Sequence, residues 1–551
     1  MKKITIEDWK QFFPFNKVRK EQEDAINFAI HSFINEKKRY VILELGTGVG
    51  KSATGITIAR YIDAHGEKVK NENGDLLTGA YVVTTQKILQ EQYLRDFGPS
   101  CGKGLVKSIK SSNNYVCSFY QDQSCAESKR VLSKLAKQLN GTEFQKHCKQ
   151  QCQYSIEKQE FIDSPLAVTN FPYILAESMY AGKLEPRNML VVDEAHNTEA
   201  ELGKFIEVTF SEKFAKEVLK CKLPRSESQE SIYDWIKTTY KKCLAKYIND
   251  VEKALAKLSG DIEGYGTYSK QYEMLDKHIC KINRFIEAYK PENWIMNVAL
   301  PPYDSKKAGK KYEFKPIDIS PYSESSFFRL GHKILLMSAT IVNKEIFCDS
   351  LGIQEKDVAF LSIPSPFPVS NRPIHYLPVG SMSKSQIDST LPKVVEVVSM
   401  LLEKHPNEKG IIHCTNYKIA KFLQENIKNS RLMLHDSSNR DAILKSHISS
   451  EDPTVLLSPS MMEGVDLYDD LSRFQIICKV PFPYLGDLVV KKRMEKNKFW
   501  YPYMTAKSII QSLGRSIRNE NDHAVSYILD SDWERFFRMN YNMFPSDFKT
   551  S

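Results

Sequence analysis

Three stretches of this 551-residue chain combine residue types and spacings able to do chemistry, and they lie far apart in sequence. The first is Glu44-Leu45-Gly46-Thr47-Gly48-Val49-Gly50-Lys51-Ser52. Gly46, Thr47, Gly48 and Gly50 let backbone N–H groups close around a polyphosphate at a helix start, where the dipole favours negative charge. Lys51 is placed to meet the β- and γ-phosphates and the Ser52 hydroxyl to hold Mg²⁺. Leu45 stands where the usual pattern has Gly or Ala. The second stretch, Asn188-Met189-Leu190-Val191-Val192, reads as a buried strand delivering Asp193-Glu194-Ala195-His196. An acidic pair at such a strand tip suits nucleotide hydrolysis, with Asp193 holding Mg²⁺ and Glu194 orienting and deprotonating water. A solvated acidic loop is the plain alternative. The third, Gln511-Ser512-Leu513-Gly514-Arg515-Ser516-Ile517-Arg518, is read as part of the last helix. There Gln511, Arg515 and Arg518 share a face and suit charge clamping of a γ-phosphate from across a cleft.

Two further groups carry weaker signals. Arg19 and Gln22 follow an aromatic run (Trp9, Phe12, Phe13, Phe15) shortly before the glycine loop. They could read an adenine, or simply open an amphipathic helix. The eleven cysteines are unevenly spread, with Cys101, Cys117, Cys125, Cys148 and Cys152 inside 52 residues. In a reducing compartment, Cys117-x7-Cys125-x22-Cys148-x3-Cys152 reads as a metal or iron–sulphur site rather than disulfides. Four thiolates suit [4Fe–4S] or Zn²⁺; short paired CxxC knuckles, which zinc favours, do not occur, and unrelated thiols remain the third reading.

These residues need strands to aim them. Tyr40–Leu43, Ala80–Val83, Leu166–Val168, Asn188–Val192 and Lys333–Met337 are short apolar runs, and helical spacing follows several of them. The strand ends carry Thr84-Thr85-Gln86-Lys87 and Ser338-Ala339-Thr340, side chains able to hold a nucleic-acid backbone. Between 197 and about 315 apolar residues recur at three and four, and the segment reads as a helical insertion without strands. Ser362–Pro368, with three prolines, reads as a linker into a second α/β unit whose strands include Gly410–Cys414, Thr454–Leu457 and Phe474–Val480.

Composition sets outer limits. With 42% hydrophobic and 26% charged residues and no long apolar run, a membrane span is not expected. The charged N-terminus lacks the apolar core of a secretory signal, so an intracellular (cytoplasmic) protein is expected, nuclear in a eukaryotic host. A net charge of +9 suits a polyanionic partner without demanding one.

Assembled, these motifs resemble the XPD/DinG type of superfamily-2 iron–sulphur DNA helicases over nearly the whole length. The resemblance rests on Leu45–Ser52, Thr84–Lys87, Asp193–His196, Ser338–Thr340, Glu463-Gly464-Val465-Asp466 and Gln511–Arg518. Asn114-Tyr115-Val116-Cys117 and Cys152-Gln153-Tyr154 resemble the flanks of the family's first and last cluster ligands. It implies an α/β fold of two RecA-like parallel-sheet motor domains, the first carrying a cluster insertion and an Arch-like helical insertion. The first motor domain would comprise residues 1–97, 164–200 and 316–368, the cluster insertion 98–163, the Arch 201–315 and the second motor domain 369–551. Arg19 and Gln22 would read adenine, Glu463 and Asp466 would couple nucleotide to DNA, and ATP, Mg²⁺ and a [4Fe–4S] cluster would be cofactors. Cys117, Cys125, Cys148 and Cys152 would hold the cluster; the Cys spacings differ from better-known members, and Cys101 leaves a fifth thiol.

The resulting expectation is ATP-driven 5′-to-3′ movement on single-stranded or forked DNA, with repair or replication partners. Two rivals stand beside it: a nucleic-acid-responsive ATPase scaffold or regulatory subunit that unwinds little, and an RNA motor. Competition between single-stranded DNA and RNA for ATPase stimulation separates them.

Overall fold

The computed structural model describes residues 6–119, 124–128, 146–148, 150–181, 184–224, 226–257, 262–300, 309–436, 439–459, 467, 469–514, 517, 522–546 and 548–550. Its strands follow the apolar runs. Before residue 200 come β1 (Tyr40–Leu45), β2 (Ala80–Thr84), β3 (Lys107–Ser108), β4 (Leu166–Asn170) and β5 (Arg187–Val192). An insertion supplies β6 (Val208–Ser211), β7 (Trp294–Ala299) and β8 (Lys311–Pro316), and the chain then returns with β9 (Gly331–Ser338) and β10 (Val358–Ile363). The second unit adds β11 (Ile374–Gly380), β12 (Gly410–His413), β13 (Leu432–Leu434), β14 (Val455–Ser458), β15 (Phe474–Ile477) and β16 (Val525–Asp530).

The first sheet runs β10-β1-β9-β5-β2-β4-β3 and the second β11-β16-β15-β12-β14-β13, with every neighbouring pair parallel. Parallel sheets must be covered on both faces, which is why their strands read as continuous apolar runs. In β1 the alternation is still visible in the packing: Tyr40 and Ile42 enter one core, Val41, Leu43 and Leu45 the core on the opposite face. Leu45, the departure from the usual loop pattern, is fully buried there. With all strands parallel, the glycine loop after β1, Asp193 after β5, Thr84 at the end of β2 and Ser338 at the end of β9 come to one edge.

Four expectations need correction. The insertion is not purely helical, because β6, β8 and β7 form a three-stranded antiparallel sheet. Its strands are short and alternate, burying Tyr312 and Phe314 while Lys311, Glu313 and Lys315 face outward, a period-2 signal masked by the long helices beside it. Helix Thr198–Ile206 leads into the insertion and β8, ending at Pro316, leads out. Part of the 98–163 segment belongs to the first sheet, since β3 pairs with β4 and helix Gln153–Asp163 buries Tyr154 and Phe161 in the same core as Tyr81. Finally, the helix expected to carry residues 511–518 is Trp500–Leu513 and stops at Gly514; β16 and helix Asp532–Met539 follow, so it is not the last. The linker, moreover, starts later than Ser362, which still pairs with Glu44 in β10.

Candidate functional site

The glycine loop is held from two sides. Gly48 and Gly50 sit at φ 92° and 90°, a region that side chains resist, and helix Lys51–His65 starts directly after. A Cβ on Gly46 would collide with the Ser365 backbone and one on Gly48 with the Phe367 ring, so the connector between the two units lies on the loop. The Ser365 hydroxyl donates to the Thr47 carbonyl at 2.7 Å. On the other side the Arg19 guanidinium donates to the Gly48 carbonyl. Gln22, itself buried, accepts from the Arg19 N–H at 3.1 Å and donates to the Gly50 carbonyl at 3.4 Å. In this structure both side chains brace the loop.

At the tip of β5 the charges crowd. Lys51 Nζ stands 4.0 Å from Glu194 Oε1. The Tyr93 hydroxyl donates to Asp193 Oδ2 at 2.9 Å and the Glu194 N–H to Asp193 Oδ1 at 3.0 Å. Burial first, and then repulsion from the Glu194 carboxylate, push Asp193 up to about 6, against the pull of Lys51. Burial also lifts Tyr93 well above the usual phenol range, with the Ser52 hydroxyl and the Asp193 carboxylate as its neighbours. Glu194 adopts φ 54°, a left-handed conformation costing a non-glycine residue about 1–3 kcal/mol when held in place. Two adjacent carboxylates facing one lysine leave a buried excess of negative charge. A divalent cation beside Asp193 and Ser52 would balance it, so the donor set fits Mg²⁺.

The second unit closes the cleft, whose volume is about 580 Å³. Glu44, Lys51, Glu194, Thr85, Gln86 and Gln511 are among its lining. Gln511 is buried, and its Nε2 has no partner among the described residues. Such an orphan donor costs about 1–3 kcal/mol, which an acceptor entering the cleft would relieve. Gly514 comes so close to Thr47 that a Cβ there would touch its hydroxyl at 4.0 Å. The site thus brings together Arg19, Gln22, Gly46, Thr47, Gly48, Gly50, Lys51, Ser52, Asp193, Glu194 and Gln511. Arg515, Arg518, Glu463 and Asp466 lie outside the described residues.

Sequence reasoning missed three supports. Glu44 accepts from the Ile341 and Val342 N–H groups, both at 2.7 Å, and from the Ser362 hydroxyl at 2.8 Å, tying the segment after Ser338–Thr340 to the loop. Its signal was a lone carboxylate inside an apolar strand. Tyr93 looked like one more apolar helix position. Lys507 donates from the second unit to the His196 carbonyl at 3.3 Å, while His196 Nδ1 meets the Ser338 hydroxyl at 2.8 Å.

The clustered cysteines lie beside the first sheet. Cys125 and Cys152 are buried with their sulphurs 3.8 Å apart. Cys148 packs against the core holding them and also against the core holding buried Cys117. Cys101 is exposed, its thiol directed at the Gly98 carbonyl at 3.1 Å. Thiolate sulphur is the donor type that iron–sulphur and zinc centres use. Among the described residues, no three His, Cys, Asp or Glu side chains stand in metal-binding geometry, and no helix is long and apolar enough to cross a membrane.

Comparison with known proteins agrees with this architecture. The helicase C-terminal domain family matches residues 398–550, and the family described as type III restriction enzyme, res subunit, matches residues 15–223. The chain is 27% identical over 240 residues to the ATP-dependent DNA helicase DinG of Photobacterium profundum, a match covering 40% of this chain and 34% of the relative. It is 24% identical over 211 residues to the ATP-dependent DNA helicase YoaA of Escherichia coli, covering 36% and 32%. It thus spans about a third of the length of these relatives. Among solved structures, one titled XPD helicase superposes with a TM-score of 0.65 at 17% identity over 98% of this chain and all of that one. The Xpd4 structure of S. tokodaii superposes at 0.55 and 16%, covering 97% of this chain and all of that one. These likenesses carry the fold of two RecA-like units.

Proposed function

We propose that this chain, which resembles the superfamily-2 helicases of the XPD/DinG type, is an ATP-driven motor that moves along single-stranded DNA and separates duplex. The observation that carries this reading is a cleft in which Lys51 and Glu194 of one unit face Gln511 of the other, with Asp193 buried beside Glu194. Lys51 binds the β- and γ-phosphates. Ser52 and Asp193 would hold Mg²⁺, which supplies charge neutralisation between the phosphates. Glu194, its backbone fixed in a strained turn and its carboxylate beside Lys51 and His196, takes the proton of the attacking water. Gln511, with Arg515 and Arg518, completes the phosphate contacts from across the cleft. Arg19 and Gln22 brace the loop and read adenine, and Glu463 and Asp466 couple nucleotide to DNA.

Opening and closing of this cleft moves the second unit relative to Thr84–Lys87, and a strand held between them is ratcheted along. Separating a base-pair step costs about 1.4 kcal/mol, so one ATP per step suffices. Cys117, Cys125, Cys148 and Cys152 would hold a [4Fe–4S] cluster that rigidifies a small insertion beside the strand path. Movement in the 5′-to-3′ direction, work on forked DNA in repair or replication, and a place inside the cell with DNA and nucleotide follow from the same reading. The domain limits we adopt are those of the sequence.

The test is ATP hydrolysis with and without single-stranded DNA, together with strand separation on duplexes tailed at either end. DNA-stimulated hydrolysis and unwinding from a 5′ tail are expected, both abolished in Lys51→Ala. Stimulation by RNA alone would establish an RNA motor instead. Hydrolysis without any strand separation would establish a regulatory ATPase.

A further inference from the structure

The insertion leaves the first unit through helix Thr198–Ile206 and returns through β8 and Ile317-Asp318. These two feet converge on one side chain of the second unit. Arg493, on helix Leu488–Lys496, donates through one terminal nitrogen to Glu199 Oε1 at 2.6 Å and through Nε to the Ile317 carbonyl at 2.8 Å. The side chains of Arg493 and Glu199 are only 18% and 15% exposed, so water screens this pair little. The guanidinium also lies 5.4 Å from the Trp500 ring centre, which fixes its plane. One turn on, Lys496 pairs with Asp318, but with its side chain 60% exposed that pair contributes little. The return foot is clamped to the insertion in turn: the Asn293 amide donates to the Asp318 carbonyl at 2.9 Å and its oxygen accepts the Asp318 N–H at 3.0 Å.

The outgoing foot starts at the nucleotide site. Glu199 lies five residues beyond Glu194, and between them Lys507 of the second unit reaches the His196 carbonyl. The second unit therefore grips the chain just after the acidic pair at two points, one of which also holds the returning strand. The first unit holds the same feet, with Leu202 and Ile319 in its core, so the insertion stands between the two units and a shift of the second unit's grip turns it relative to the first.

We infer that Arg493 is a positioning residue that makes the insertion follow the second unit as the nucleotide cleft opens and closes. The inference rests on the motor reading of that cleft. Loss of the Arg493 grip leaves hydrolysis intact but disconnects the insertion from the stroke, so strand separation per ATP falls.

The experiment is energy transfer between dyes placed through unnatural amino acids, because the chain has eleven cysteines. One pair joins Met274 on the insertion to Leu76 on the first unit, and a control pair joins Leu76 to Met400 on the second; all three are exposed. In the parent chain both pairs should respond to a non-hydrolysable ATP analogue. In Arg493→Ala the control pair should still respond, the insertion pair should not, and strand separation per ATP should drop about tenfold, a usual size for coupling between sites. Glu199→Gln should do the same, Lys496→Ala should leave both pairs responding, and Arg493→Lys, which keeps the charge but not the fork, should recover part of the insertion response. Cooperative melting of each variant separates lost coupling from lost folding. A silent control pair in the parent chain would overturn the motor reading itself. A responsive control pair beside an insertion pair that is silent in the parent, or unchanged in Arg493→Ala, would overturn this inference alone.

Discussion

The strand tips of the first unit and the insertion that grows from them are built on opposite terms. At the tips, local comfort is given up: Glu194 is in a left-handed conformation, Asp193 is raised by burial beside a second carboxylate, and Gln511 has a donor without a partner among the described residues. In the insertion, aromatic rings satisfy one another. Tyr233 stacks on Tyr289 with centroids 3.8 Å apart, and Phe285 meets Trp294 and Phe314, each at 4.9 Å. Glu194 and Gln511 break local rules where the cleft would handle a ligand, whereas these rings pack against one another in a body that has only to be rigid.

The sharpest way to break that contrast is Glu194→Gln. If the strained turn exists to aim a base, turnover should fall by about 10²–10⁴-fold while nucleotide affinity holds. Steady-state hydrolysis and a nucleotide titration measure the two separately. An unchanged rate would mean that the strain at Glu194 serves something other than the attack of water.

The converse substitution is Phe285→Ala. Emptying the centre of the aromatic core should cost about 3–5 kcal/mol. The insertion should then melt in a separate, earlier transition while DNA-independent hydrolysis survives. Loss of hydrolysis in step with that first transition would show that the two regions form one cooperative unit.

The same contrast decides what could be read in advance. The glycine loop Leu45–Ser52 and the acidic pair Asp193-Glu194 could be placed at strand tips in advance because each is a contiguous string serving a local geometry. β1 itself was legible from the apolar run Tyr40–Leu43, but its two alternating cores were not. Glu44 and Tyr93 were not legible, because their partners, Ile341, Val342 and Ser362 for one and Asp193 for the other, are brought near only by parallel pairing of β1 with β9 and β10 and by packing of helix Lys87–Phe97. The insertion's sheet escaped for a related reason. β6 and β8 are about a hundred residues apart, and four- to six-residue strands leave too short a pattern beside helices of 17 and 27 residues. Arg493 carries no motif at all; only the closed arrangement of three segments shows what it grips.

Acid gives a gentler probe of the insertion. His278 is half-buried between Phe210 and Tyr240, its Nε2 3.1 Å from the Tyr240 hydroxyl. Burial, helped by Lys281, lowers it to about 4. The unfolded chain therefore binds a proton below its ordinary value of 6.5 while the folded insertion resists until about 4. Stability is complete above pH 6.5 and is lost as pH falls across that window, by about 3 kcal/mol at 1.36 kcal/mol per unit. Chemical denaturation of the insertion between pH 7 and 4 should show this slope, and His278→Leu should flatten it. A slope that persists in His278→Leu would assign the acid sensitivity elsewhere.

The smallest expected effect belongs to Cys101, and its smallness is what makes it informative. Cys101 is exposed and turned to the Gly98 carbonyl, whereas Cys152 is buried against Cys125 in a core that Cys148 also touches. Free thiols pack readily in cores, so burial alone does not mark ligands; four thiolates are the donor set a [4Fe–4S] cluster would take. Purified protein should then contain roughly four irons per chain. Cys101→Ser should keep its iron, hydrolysis and strand separation. Cys152→Ser should lose iron and strand separation but retain much of its DNA-stimulated hydrolysis, because Lys51, Asp193 and Glu194 all lie outside the cysteine segment. Iron lost in Cys101→Ser and kept in Cys125→Ser would mean that the ligand set includes the exposed thiol. A Cys152→Ser protein that unwinds normally without iron would mean that the insertion needs no cluster to be rigid, and its edge would then owe its stiffness to packing, as the aromatic insertion does.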